Sequence, residues 1–162
     1  MSVLVSTMRY VRETSLIGNR TMGIVLAALL DAGYRPLLPF GDGHPYDIAL
    51  DIDGRLIRVQ CKTGRLIRGA VCFPTAIWCR GNKYRSYRGD ADCFGVYCPE
   101  TRQVYLVPVG HAPDRSASLR VDPPRNGQAK GVRWAKDYVV GPEPSNLTGS
   151  DLVSLGHAGE VA

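Results

Sequence analysis

The dipeptide Asp53-Gly54 stands between two segments, DIALDI and RLIRVQCKT, in which apolar and polar residues alternate. Asp-Gly suits the two-residue turn whose central positions both take positive φ, and the alternation gives each flanking strand one buried and one polar face. The pattern predicts a β-hairpin with a set register. Ile52 faces Arg55, and stepping outward from the turn brings Asp47 opposite Gln60. A four-residue loop keeps this pairing, whereas a three-residue loop shifts it by one and turns one strand over.

In that register Ile48, Leu50, Ile57, Val59 and Cys61 share one face, and Asp47, Asp51, Arg58, Gln60 and Lys62 share the other. Opposed residues have Cβ atoms about 5 Å apart, so a carboxylate, an amide and an ammonium converge. Such a trio can hold Mg²⁺ or Mn²⁺: Asp47 offers a carboxylate oxygen, Gln60 a neutral amide oxygen, and the backbone carbonyl near Cys61 a third donor. A cation held there lowers the pKa of a water, and Lys62 can orient that water or offset charge developing on a phosphate. The same residues also describe an ordinary hairpin with surface ion pairs worth about 0–1 kcal/mol each. The three residues alone leave both readings open.

Charge is unevenly placed along the chain. Nine basic residues and no aspartate or glutamate lie between Arg55 and Arg88, although the 162-residue protein carries only +5 overall. Trp78, Tyr84 and Tyr87 sit among them, a pattern expected for a polyanion partner. Arg65, Arg68, Arg80, Lys83, Arg85 and Arg88 are candidate phosphate contacts, and Tyr84 and Tyr87 candidate stacking or hydrogen-bonding residues. Asn126 and Gln128 are weaker candidates for a base edge or a sugar. His44, His111 and His157 have no partner in the pattern and receive no role.

Around the hairpin, residues 15–32 predict a helix capped by Thr14 or Ser15 and stopped at Gly33, with the apolar run Ile24 to Leu30 buried against a sheet. Residues 34–40 predict an edge strand or connection because of Pro36 and Pro39. A third strand is expected over 69–78, a second hairpin over 93–98 and 103–109, and a short helix around 132–138. Residues 1–140 are expected to form one domain and the Gly/Pro/Ser-rich 141–162 a flexible tail. The five cysteines are odd in number with no C-x-x-C spacing, which speaks against a disulfide framework or a structural zinc site. The longest apolar run is seven residues, too short for a membrane span, and the N-terminus does not read as a secretory signal, so a cytoplasmic protein is expected.

The run from LLDAGY through PFGDGHPYDIALDIDGRLIRVQCKTGR resembles the PD-(D/E)xK nuclease superfamily, and most closely its branch of small homing endonucleases encoded in group I introns. That branch commonly has Gln-x-Lys in its last motif, matched here by Gln60-Cys61-Lys62, with Pro45-Tyr46-Asp47 as the motif's opening. The likeness extends over roughly residues 15–139, through RGDADCFGVYCPETRQVYLVPV and LRVDPPRNGQAKGVRWAKDY. It implies an α/β fold with a restriction-endonuclease-like core, a mixed β-sheet flanked by helices. It also implies a metal-dependent endonuclease acting on double-stranded DNA, with Asp47 as metal carboxylate, Gln60 as its partner and Lys62 as catalytic cation. One active site per chain and two strands to cut favour a homodimer or homotetramer.

The chain departs from this family at one place. The family usually has a glutamate twelve residues before the tyrosine that matches Tyr34, and counting back gives Met22, a core-type residue in helical spacing with Leu26 and Leu29. Glu13 or Asn19 could bring an oxygen in its stead. The departure keeps a second expectation in play, a nuclease-fold module that binds DNA without cutting it. A third and weaker expectation is a structural or protein-interaction domain.

Overall fold

The computed structural model describes residues 2–81, 83–123 and 130–141, with side chains from residue 13 onward. Its first element is one long helix, α1 (Ser2–Asp31), which starts well before the expected cap. Residues 2–13 contain no glycine or proline. A cap-type residue does not begin a helix when nothing upstream ends one, so Thr14 and Ser15 lie in mid-helix. The C-terminus is as expected: Gly33 takes φ +83°, its N–H bonds to the Leu30 carbonyl, and Tyr34 N–H bonds to that of Leu29. This is a Schellman cap, with Tyr34 and Leu29 in one apolar cluster. The helix is not buried all round. Val25 and Leu29 are sealed, but Leu30 is 55% exposed on the outer side.

The strands β1 (Pro36–Leu37), β2 (Ile48–Ile52) and β3 (Arg55–Thr63) follow. Asp53 and Gly54 have φ of 52° and 79°, and Ile52 pairs with Arg55 and Ile48 with Val59, the register that the two-residue turn dictates. After Gly64 come β4 (Arg65–Ile67), β5 (Ala70–Pro74), β6 (Ala76–Trp78) and β7 (Tyr84–Ser86). The single strand expected over 69–78 is therefore two. Pro74 has no N–H for a ladder, the Thr75 N–H bond to the Arg115 carbonyl is the last of the pairing with β10, and β6 beyond it pairs with β7, so β5 and β6 enter different sheets. The second hairpin is present as β8 (Cys93–Cys98) and β9 (Gln103–Pro108), and β10 (Ser116–Arg120) was not foreseen. The expected helix around 132–138 is a single 3₁₀ turn, Ala135–Tyr138.

The main sheet has the order β1-β2-β3-β8-β9, antiparallel throughout except for the parallel pair β3 and β8. One face packs on α1, burying Ile48, Leu50, Ile57, Val59, Cys93, Val104 and Leu106 with Val25 and Leu29. On the other face Phe94, Val96, Tyr105 and Val107 meet Val71, Phe73 and Leu119 from the small sheet β10-β5-β4. Both cores share β8 and β9, so the described residues form one folding unit with a mixed sheet, as expected, though strands cover the second face.

Seating α1 on the sheet depends on Gly95. A Cβ there would stand 2.8 Å from a Val25 methyl and 3.0 Å from a Val59 methyl, and β-branched side chains have little freedom to move aside. Gly95→Ala is expected to destabilise the fold by about 1–3 kcal/mol, only partly offset by the lower entropy of the unfolded chain. Gly23→Ala, on the open face of α1 with nothing within 4 Å of the added atom, should instead stabilise by up to about 1 kcal/mol. Urea denaturation of the two variants measures both signs.

Candidate active site

β3 runs nine residues while β2 pairs with only its first five, so from Gln60 to Thr63 the β2 side of β3 has no neighbouring strand. The N–H and C=O of one strand residue point to the same side, and those of Cys61 point into this opening. Asp47, the residue just before β2, fills it. Its Oδ2 accepts from Cys61 N–H at 2.7 Å and from Gln60 Nε2 at 2.6 Å, while its own N–H bonds to the Val59 carbonyl at 3.0 Å. The expected meeting of Asp47 with Gln60 is thus a direct side-chain bond.

Above the opening lies α1. Ser15, Asn19 and Met22 from the helix, with Asp47, Gln60 and Cys61 from the sheet, line a cleft of about 300 Å³. Thr21, 2% exposed, fixes the helix at this point through a 2.7 Å bond between its hydroxyl and that of Thr63. Met22, at the position where the resemblance called for glutamate, therefore lines the same cleft as the Asp47 carboxylate. Asn19 lines the cleft, and Glu13 is exposed and not among its lining residues.

Burial is the largest influence on Asp47 and raises its pKa above the ordinary 3.8, against the opposing effects of the Cys61 N–H, the Lys62 charge and the Gln60 amide. The ionised form is under-compensated. The Cys61 thiol is pushed far up, first by burial and then by the Asp47 charge, so it is no nucleophile, and Cys61 offers the cleft its backbone. Gln60 Nε2 stands between Asp47 Oδ2 and the Cys61 carbonyl oxygen, 3.4 Å away, so two oxygens already converge on one positive end. That donor set fits a hard divalent cation: the carboxylate, the Cys61 carbonyl and, with the amide turned over, the Gln60 oxygen would hold it, with water completing the shell. Among the described residues no group of three His, Cys, Asp or Glu side chains could hold a metal.

Lys62 does not line the cleft. Its Nζ donates to the Tyr87 hydroxyl at 2.8 Å and lies 4.4 Å from the centre of that ring. Tyr87 itself is 8% exposed and edge-on to Phe94, which corrects its expected role as a stacking residue on the surface: it belongs to the core and positions Lys62. Sequence reading missed this pairing because no local pattern links positions twenty-five apart.

The remaining basic residues divide into two groups. Arg58 is held by Asp92 through two bonds of 2.9 and 3.0 Å, Arg85 pairs with Asp90, and Arg88 meets Asp114 at 3.3 Å. Acids beyond Arg88 in sequence thus return to neutralise part of the acid-free window. Arg65 is exposed near Glu100, whose carboxyl is lowered chiefly by its own backbone N–H, then by the Cys98 thiol, with Arg65 a smaller contributor. Arg68, Arg80, Lys83 and Tyr84 are exposed. Asn126, Gln128, His157 and the expected tail from residue 142 lie outside the described residues. Among the described residues no helix is long and apolar enough to cross a membrane.

A family model described as PD-(D/E)XK endonuclease matches residues 12–140. Among solved structures the chain is similar to a bacterial homing endonuclease, I-Ssp6803I, with a TM-score of 0.65 and 22% sequence identity over 91% of this chain and 99% of that one; at that identity the likeness is one of fold. No curated protein matches the chain.

The folded Asp47 carboxyl binds its proton more tightly than the unfolded one, so stability falls as pH rises through the window above 3.8, and at neutral pH the ionised form carries the cost. Asp47→Asn is expected to raise the melting temperature in EDTA at pH 7. Mg²⁺ should raise that of the wild type and leave the variant unmoved. Thermal scans with and without the cation compare the two.

Proposed function

The chain belongs to the PD-(D/E)XK endonuclease family, and from that premise we propose that it is a divalent-metal-dependent endonuclease that hydrolyses phosphodiester bonds of double-stranded DNA at the cleft between α1 and β3. The observation that carries this reading is the convergence of the Asp47 carboxylate, the Gln60 amide and the Cys61 backbone on the open edge of β3, with Lys62 next along the strand. Mg²⁺ or Mn²⁺ held there would activate a water and stabilise negative charge on the phosphate. Asp47 and Cys61 would hold the cation through groups fixed by strand geometry, and Lys62 supplies a positive charge that the Tyr87 hydroxyl positions. A homodimer or homotetramer would bring two such clefts to the two strands of a duplex. I-Ssp6803I, named as a homing endonuclease, supports the reading as a relative in fold.

One observation favours a second reading. Met22, a thioether that is a poor ligand for a hard cation, lines the cleft with Asp47, and a site with a single carboxylate describes a nuclease fold that binds DNA without cutting it. The two readings separate in a supercoiled-plasmid assay with Mg²⁺ and Mn²⁺. The first expects nicking or linearisation by the wild type and a loss of about a hundredfold or more in Asp47→Ala and Lys62→Ala. Cleavage that survives both substitutions removes this site from the explanation. The second expects salt-dependent DNA binding without cleavage, and activity created by Met22→Glu. Tyr87→Phe keeps the ring over Lys62 but removes the hydroxyl, and is expected to lower the cleavage rate about tenfold with duplex affinity unchanged, as single-turnover kinetics and a binding titration would register.

A further inference from the structure

β6 and β7 form a two-stranded ribbon separate from both larger sheets, pairing Ala76 with Ser86, Ile77 with Arg85 and Trp78 with Tyr84. Its base is anchored, since Ala76 is buried and Ile77 packs on the core. Its far end is not. Trp78 is 65% and Tyr84 39% exposed, their rings 6.1 Å apart, with the Arg115 guanidinium 4.5 Å from the centre of the Tyr84 ring. A hydrogen bond from Cys79 N–H to the Lys83 carbonyl closes the turn, which carries Arg80 and Lys83.

Exposed indole and phenol rings are costly to leave in water without a partner, and here the Arg115 guanidinium lies over the Tyr84 ring while Arg80 and Lys83 stand in the adjoining turn. No acidic residue occurs from Ala76 to Ser86. Asp90 and Asp114 approach only the stem, where they hold Arg85 and Arg88. Among the described residues Arg80 and Lys83 meet no carboxylate, so the free positive charge is concentrated at the tip. A two-stranded ribbon has the width that the major groove of a duplex admits, with side chains of one face presented to base edges and flanking cations to phosphates.

The geometry points to the β6–β7 ribbon as the element that enters the major groove of a DNA duplex. Arg80, Lys83 and Arg115 contact phosphates there, and Trp78 and Tyr84 lie against base edges or thymine methyls. This rests on the reading of the chain as a DNA endonuclease but concerns a surface remote in sequence from Asp47. It also reassigns the contacts within the basic window: tip residues bind, and the stem arginines Arg85 and Arg88 serve the fold.

The test is binding of the full-length protein to a labelled duplex of about 30 base pairs, and to the single strand of the same sequence, in EDTA at about 0.1 M salt. The double variant Arg80→Ala/Lys83→Ala is expected to weaken duplex binding at least about tenfold and to reduce the slope of log affinity against log salt by about two, one for each lost phosphate contact. Trp78→Ala should weaken it about fivefold, and Arg85→Ala no more than about twofold. All four positions are exposed, and circular dichroism checks that each variant is folded. Duplex affinity within twofold of wild type in the tip variant overturns the proposal, as does tighter ribbon-dependent binding to the single strand than to the duplex. Wild-type protein that binds duplex through the ribbon yet does not nick plasmid supports the proposal while rejecting the nuclease reading. Cleavage without any ribbon dependence of binding does the reverse.

Discussion

The cleft exists because two paired strands differ in length. β3 runs nine residues because β2 pairs with its first five, Arg55 to Val59, and β8 with its last five, Val59 to Thr63, so the last four residues of β3 have a partner on one side alone. A buried backbone N–H without a partner costs about 1–3 kcal/mol, and the protein answers with a side chain where a strand residue would have been. The Asp47 carboxylate takes the Cys61 N–H. That substitution brings an ionised oxygen beside a backbone carbonyl and an amide, and it does so without any dedicated metal-binding loop. The interaction that completes the ladder and the one that makes the site chemically useful are the same.

This explains why the hairpin was legible and much around it was not. Asp53-Gly54 admits one turn geometry, the turn sets the register, and the register places Asp47 beside Gln60 before any tertiary contact is considered. β4 and β5 are joined by an equally tight turn, with φ of 49° at Arg68 and 72° at Gly69, but arginine in a left-handed position is no turn signal, and that hairpin went unseen. The start of α1 was misplaced because Thr14 and Ser15 are of cap type but helix already extends upstream of them. Tyr87 was misassigned for a related reason: its neighbours in sequence are basic and exposed, while its neighbours in space are Phe94 and Lys62. Local patterns predicted what local physics decides, and side chains set by packing across the sheet escaped them.

Charge teaches the same lesson at longer range. The acid-free stretch from Arg55 to Arg88 reads as one continuous positive field, yet Asp90, Asp92 and Asp114 fold back onto Arg85, Arg58 and Arg88. Asp92 does structural duty as well, accepting from the Arg58 backbone N–H at 2.8 Å while the guanidinium clasps its carboxylate, so that pair aligns the entry of β3 and β8. The three carboxylates remove charge where the chain is anchored and leave it on the ribbon tip.

The ribbon and the cleft are not independent parts. β7 ends at Ser86, and the next residue, Tyr87, turns its ring into the core and its hydroxyl to Lys62. One covalent step therefore separates the strand that presents Tyr84 from the side chain that holds Lys62. Tyr87 thus roots the ribbon in the core, its ring edge-on to Phe94 and its hydroxyl accepting from Lys62 Nζ. The residue that roots the ribbon is therefore also the one that holds the Lys62 ammonium on the neighbouring strand β3.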